Sequence, residues 1–205
     1  MKISKGTRLT IFVVALLVID QVIKILVKSN MTLGQSIPVF GNWFRIHFIE
    51  NMGMAFGMSF GGGIGKLLLT LFRIVLGTAI IFYIRALLKK PDTPTGVLYG
   101  LAAIMCGAFG NIIDSLFYGL IFTESTYTQV ATMFPEGGGY TGLFFGKVVD
   151  MFYFPIIDTT FPDWMPLVGG KPFRFFEAIF NFADSCITVG AFYLLIFQWK
   201  FFSKK

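Results

Sequence analysis

At 205 residues, 55% of them hydrophobic and only 14% charged, with a mean hydropathy of +0.74, the chain excludes an ordinary soluble domain. It reads as a single polytopic α-helical membrane domain over 1–205. The net charge of +6 is no nucleic-acid footprint, because Lys and Arg form short clusters beside apolar runs instead of one basic stripe.

Lys2, Lys5 and Arg8 precede an apolar run that predicts a first, uncleaved span over about 8–28. Asp20 and Lys24 interrupt it four residues apart on one helix face. They are either a salt bridge near the membrane surface or the edge of a polar site. A first loop follows over 29–65, with short strands predicted at Ser36–Phe40 and Trp43–Ile49. Its glycine-rich end, from Asn51 through Gly63, is too short to span and suits a surface-lying segment or a mobile flap.

A second span is predicted over 66–88, ending in Arg85, Lys89 and Lys90. The turn Pro91–Pro94 leads to a third span over 96–122, which carries Gly107, Gly110, Asn111, Asp114 and Ser115. Small residues there permit close helix approach, and polar ones bridge helices. A long second loop, 123–179, is expected to form strands near Val148–Phe154 and Pro172–Phe176. The fourth span, about 180–201, ends with Lys200, Lys204 and Lys205. Cys106 and Cys186 both fall in apolar runs and are expected to stay unpaired and without a chemical role.

The three basic clusters belong on one side, and the positive-inside rule makes that side the cytoplasm. Both termini then lie inside and both long loops outside. At about 1.5 Å rise per residue, Asp20 lies roughly 18 Å beyond Arg8, and Asn111 and Asp114 roughly 22 and 27 Å beyond Gly96. Asp184 falls in the first outer turn of the fourth span. Polar residues from three helices thus gather at one depth, with Asn51 and Asp150 on loops returning to the same surface. Asn181 and Asp184 have the spacing of a helix cap and its partner; they also fit a functional carboxylate at a membrane mouth.

No nucleophile elbow and no histidine–cysteine cluster for a metal is present. A pair of aspartates, Asp150 and Asp184, remains. Paired carboxylates hydrolyse an amide when one, ionised, takes a proton from water and the other, protonated, polarises the carbonyl.

At these residues the chain resembles the lipoprotein signal peptidases (signal peptidase II). Asp20-Gln21-Val22-Ile23-Lys24, Asn51-Met52-Gly53-Met54-Ala55-Phe56, Gly107 through Asp114, Val148-Val149-Asp150 and Asn181-Phe182-Ala183-Asp184 follow the family's five motifs in order. The resemblance implies an aspartic endopeptidase with Asp150 and Asp184 as the catalytic dyad. Asp20, Lys24, Asn51, Gly107, Asn111, Asp114, Asn181 and Ala183 would support it or bind substrate, with no metal or other cofactor. It implies four transmembrane helices with a small periplasmic β-cradle made from the two outer loops. The protein would be a monomer of the bacterial inner membrane, in contact with membrane lipids, its site at the outer leaflet. Its substrates would be diacylglyceryl-prolipoproteins, cut before the lipid-bearing lipobox cysteine. Ser115 stands where the family usually has Arg, and the interval from Ser115 to Val149 is longer than usual. Arg73 and Arg174 are the candidates to supply that contact, against the plainer readings of a snorkelling Arg73 and a solvated strand residue Arg174. The competing class is a small transporter or proton-conducting bundle, which would want titratable groups through the whole membrane depth; the inner half of these spans has almost none.

Overall fold

The computed structural model describes residues 3–52 and 62–203. Among the described residues three helices are long and apolar enough to cross a membrane: Lys5–Asn30, Gly62–Leu88 and the continuous rod Thr95–Ile121. The first two are α1 and α2. The rod comprises α3 (Thr95–Ile113), a π-helical turn (Asp114–Tyr118) and α4 (Gly119–Ile121). A shorter apolar helix, α5 (Phe182–Phe197), and a final turn, α6 (Trp199–Ser203), close the chain.

The expected helix over 180–201 is therefore shorter at both ends. Asn181 caps α5, leaving Ile179 and Phe180 as a strand. At the other end Gln198 leaves helical geometry (φ −119°, ψ 10°), and its side-chain amide lies 3.3 Å from the Tyr193 hydroxyl. Of the stretch expected to lie on the surface or act as a flap, Asn51 through Gly63, residues 53–61 lie outside the described residues; Asn51 ends a strand and Gly62 opens α2.

The central rod is the most buried of the three long helices and packs on α1, α2 and, most extensively, α5. Glycine makes the last contact possible. A Cβ on Gly107 would run into the Ala183 carbonyl oxygen and approach Ile187 Cγ1 to 2.5 Å, and one on Gly110 would lie 2.6 Å from Asp20 Oδ2 and 3.0 Å from Ala183 Cβ. Gly107→Ala should thus destabilise the bundle by about 1–3 kcal/mol through overpacking, read as unfolding in detergent; no loss would contradict so close a contact.

Strands Ser36–Phe40 (β1), Phe44–Asn51 (β2), Val148–Tyr153 (β3) and Ile179–Phe180 (β6) form one antiparallel sheet in the order β1-β2-β3-β6. Both expected loops contribute to it. Ile157–Thr160 (β4) and Pro172–Phe175 (β5) form a separate hairpin. The sheet joins the helices through an apolar cluster that includes Val27, Phe48, Tyr118, Phe122, Val149 and Met151. A second cluster, including Leu9, Ile84, Leu87, Leu98, Leu101 and Leu194, fills the other end of the bundle.

The long segment after α4 docks on the end of the central rod. Gly146 N–H donates to Ser115 O, Thr141 N–H to Gly119 O and Tyr140 N–H to Phe122 O. Carbonyls that a helix end leaves without intrahelical partners are satisfied in this way.

Candidate active site

Where sheet and helices meet, the polar residues singled out in the sequence come together. Asn181 caps α5: its Oδ1 accepts from Asp184 N–H at 2.9 Å, and Asp184 Oδ2 accepts from Asn181 N–H at 3.2 Å. The capping box read from spacing is real, yet it uses only part of either side chain. Asp184 Oδ1 also accepts from Asn111 Nδ2 at 2.9 Å, and Asn181 Nδ2 donates to Asp150 Oδ1 at 2.6 Å and to Asn111 Oδ1 at 3.1 Å. Asn51 Nδ2 donates to the other Asp150 oxygen. Each of the two carboxylates thus accepts two N–H donors, and the Asn111–Asn181 pair links them. Asp184 is half-buried, whereas Asp150 is nearly inaccessible, at 2% exposure. Burial, followed by the negative charge of Asp184, pushes the Asp150 carboxyl up to about 7, despite the opposing donation from Asn181.

Beneath this pair lies a fully buried ionic core. Lys24 Nζ is 3.0 Å from Asp20 Oδ2, 2.8 Å from Asp114 Oδ2 and 2.9 Å from Asn111 Oδ1. The Asp20–Lys24 pair is therefore both a salt bridge and part of a polar site. An ammonium has only donors to give, so Lys24 and Asn181 Nδ2 together oblige Asn111 to turn its oxygen toward them and its NH₂ toward Asp184. Asp20 Oδ1 accepts from Ala183 N–H at 2.9 Å, fixing the first turn of α5. Asp114 Oδ2 accepts from Val149 N–H at 3.3 Å, fixing β3 next to Asp150. Gly107 and Ala183 serve by close packing, as described above.

Gln21 and Tyr118 belong to the same network and were missed. Gln21 Nε2 donates to Asp20 Oδ2, Asp114 Oδ1 and Gly110 O, and its Oε1 accepts from the Tyr118 hydroxyl at 3.1 Å. The signals for Gln21 were its place beside Asp20 and within the first of the five motifs. Arg174 is not at the site: it lies on β5, 52% exposed, paired with Asp158 and Glu177. Arg73 on α2 is half-buried and within electrostatic reach of Asp184, Asp150 and Asp114. It shares a helix face with the buried Lys66, Thr70 and Gly77. Ser115 is buried, with no hydrogen-bond partner for its hydroxyl among the described residues. Cys106 and Cys186 are buried free thiols. Among the described residues no group of three or more His, Cys, Asp and Glu side chains is arranged as metal ligands would be.

The family model described as signal peptidase (SPase) II matches residues 12–200. The chain belongs to the signal peptidase II family. It is 50% identical over 195 residues to the lipoprotein signal peptidase of Porphyromonas gingivalis, covering 95% of this chain and 84% of that one. With the lipoprotein signal peptidase of Amoebophilus asiaticus it shares 40% identity over 176 residues, 84% of this chain and 70% of the relative. Its fold resembles that of a bacterial membrane enzyme solved by the in meso method, with a TM-score of 0.61 at 21% identity, covering 97% of this chain and 91% of that one. Membership in the signal peptidase II family makes the chain a protease.

Proposed function

We propose that this protein is the endopeptidase that removes signal peptides from diacylglyceryl-modified prolipoproteins, cutting before the lipid-bearing cysteine through an Asp150–Asp184 dyad. The observation that carries the dyad is the paired seating of the two carboxylates, each with two N–H donors and joined through Asn111 and Asn181. Asp150, the more buried, holds the proton and hydrogen-bonds the scissile carbonyl oxygen. Asp184 takes a proton from a water that attacks the carbonyl carbon. Collapse of the tetrahedral intermediate then breaks the C–N bond as a proton passes to the leaving nitrogen. Asn51, Asn111 and Asn181 hold the carboxylates, and the buried Asp20–Lys24–Asp114 group holds the asparagines. Arg73 supplies positive charge beside the dyad, where the family ordinarily has an arginine at the position of Ser115.

The basic clusters at the two termini and at the α2–α3 turn face the cytoplasm, α5 is the fourth span, and the four-stranded sheet lies on the periplasmic side. An outer-leaflet site lets the diacylglyceryl chains stay in lipid while the peptide bond meets water. The protein works as a monomer. A reporter fused after Lys205 should read as cytoplasmic and one near Gly137–Gly139 as periplasmic; a periplasmic C-terminus would put Asp184 on the wrong face.

The raised Asp150 sets a pH dependence. Its folded value of about 7 lies above the ordinary 3.8, so the folded protein binds the extra proton between those values. Stability therefore falls as pH rises from about 4 to about 7. Activity needs that proton, so kcat/KM should decline above about pH 7, with limits that belong to the coupled pair. A profile still rising at pH 9 would remove Asp150 as the acid. Substrate class is tested with two lipobox peptides, one bearing diacylglyceryl on its cysteine and one bare. The lipidated peptide should be cleaved at least about tenfold faster, roughly 1.4 kcal/mol of transition-state binding; equal rates would sever the link to lipid.

A further inference from the structure

A second buried ionic cluster lies outside the dyad and its supports. Lys28, in the last turn of α1, is fully buried. Its ammonium contacts Glu50 Oε1 and lies 2.8 Å from Ser125 Oγ. Ser125 also donates to Glu50 Oε1 at 2.8 Å. Lys147 Nζ lies 3.6 Å from Glu50 Oε2 and 2.9 Å from Glu124 Oε1. The Tyr140 ring faces both ammonium groups, at 5.2 and 5.5 Å, and its hydroxyl accepts from Lys147 N–H at 2.6 Å. Four of these residues, Glu124, Ser125, Tyr140 and Lys147, come from the long segment between α4 and β3.

The cluster closes around the residue next to Asn51. Side chains alternate along a strand, so when Glu50 is drawn into the cluster, Asn51 is turned the other way, toward Asp150. The rest of the ladder does not enforce this. The β2–β3 register shifts between Ile46 and Ile49, and only after that irregularity do Ile49, Glu50 and Asn51 pair with Asp150, Val149 and Val148. A one-residue slip there would exchange the faces of Glu50 and Asn51. Buried ion pairs add little net stability but are demanding in geometry.

We infer that the Lys28–Glu50–Lys147 cluster is a positioning device, through which the 123–147 segment sets the register of the end of β2 and so aims Asn51 at Asp150. It rests on the reading of Asp150 as catalytic. Asp184, Asp114, Lys24 and Arg73 act on the same carboxylate from other elements, so the contribution of the cluster is the one delivered through Asn51.

The test uses Lys28→Met/Glu50→Gln, which removes one charge of each sign, in the full chain in detergent. On a lipidated lipobox peptide, kcat should fall about tenfold to a hundredfold with KM within about twofold, the size of effect expected from slight misplacement of a reacting group. Adding Asn51→Ala to this variant should cost little more, although alone it costs as much, because the two act in series. Backbone hydrogen exchange should quicken over residues 44–51 and not in α3 or α5. Ser125→Ala, a milder change, should move kcat and exchange the same way by less, and it decides the matter if the double variant does not fold. Unchanged kcat, losses that multiply with Asn51→Ala, or exchange that rises uniformly would each overturn the inference. If the wild type cleaves no lipidated peptide, the functional reading fails separately, and exchange over 44–51 alone decides whether the cluster sets the strand.

Discussion

Asp150→Asn and Asp184→Asn are each expected to abolish cleavage while leaving a folded protein, and the double variant should be hardly worse than either single one. Asparagine keeps the size of aspartate and one of its two acceptor atoms but neither holds nor takes the proton that the reaction moves. Groups that act as one unit are non-additive, because the first loss already disables the step the second would impair. The loss should exceed about a thousandfold, roughly 4 kcal/mol of barrier. Folding should survive: Asp150 is desolvated and crowded by Asp184, so removing its charge relieves a cost. Melting of Asp150→Asn should accordingly lose most of the decline expected of the wild type between about pH 4 and 7. Cleavage and thermal unfolding measured on the same preparations separate the two effects.

The second large effect belongs to Lys24. Lys24→Met would leave Asp20 and Asp114 buried without their shared cation, which costs about 3–5 kcal/mol when one partner of a buried group is removed. It would also take from Asn111 Oδ1 one of its two donors, leaving Asn181 Nδ2 alone to hold the amide that donates to Asp184. Stability and rate should therefore both fall. Lys24→Met/Asp114→Asn keeps the net charge of the group and should regain part of the stability but little of the rate. Full recovery of rate in the double variant would show that Lys24 acts on stability alone.

Most of this site was legible in the sequence because charge is rare in a membrane chain and each instance called for a reason. Asp20 with Lys24, and Asn181 with Asp184, announced themselves by helical spacing, and the depth estimate brought Asn111 and Asp114 to the same level. In both pairs the helical spacing is real, and the same side chains that cap or bridge within a helix also reach across to another element. The strands expected at Ser36–Phe40 and Val148–Phe154 from composition, and at Trp43–Ile49 from alternation, are β1, β3 and β2 to within two residues at their ends, and the sheet they build draws on both loops.

Other features could not be read along the chain. Lys28, Glu50, Ser125 and Lys147 are separated by up to 119 positions and meet only through the path of the long segment after α4. The π-helical turn at Asp114–Tyr118 has no spacing signature, since its Ser115 carbonyl is taken up by Gly146 far down the chain. The end of α5 at Gln198 depends on a polar side chain within an apolar run, where composition alone favours continuation. Arg174 was a candidate only because it is an arginine in the right loop; its hairpin keeps it with Asp158 and Glu177 instead.

The central claim, a metal-independent cut by two carboxylates at a lipid-bearing cysteine, is tested most directly by mapping the products of the wild-type protein. The purified chain, treated with a strong chelator, would be incubated with a diacylglyceryl lipobox peptide and the fragments weighed by mass spectrometry. Two fragments are expected, the break falling immediately before the lipidated cysteine, at a rate the chelator does not change. A break elsewhere, a rate that collapses with chelation and returns with a divalent cation, or no cleavage by folded protein would contradict it.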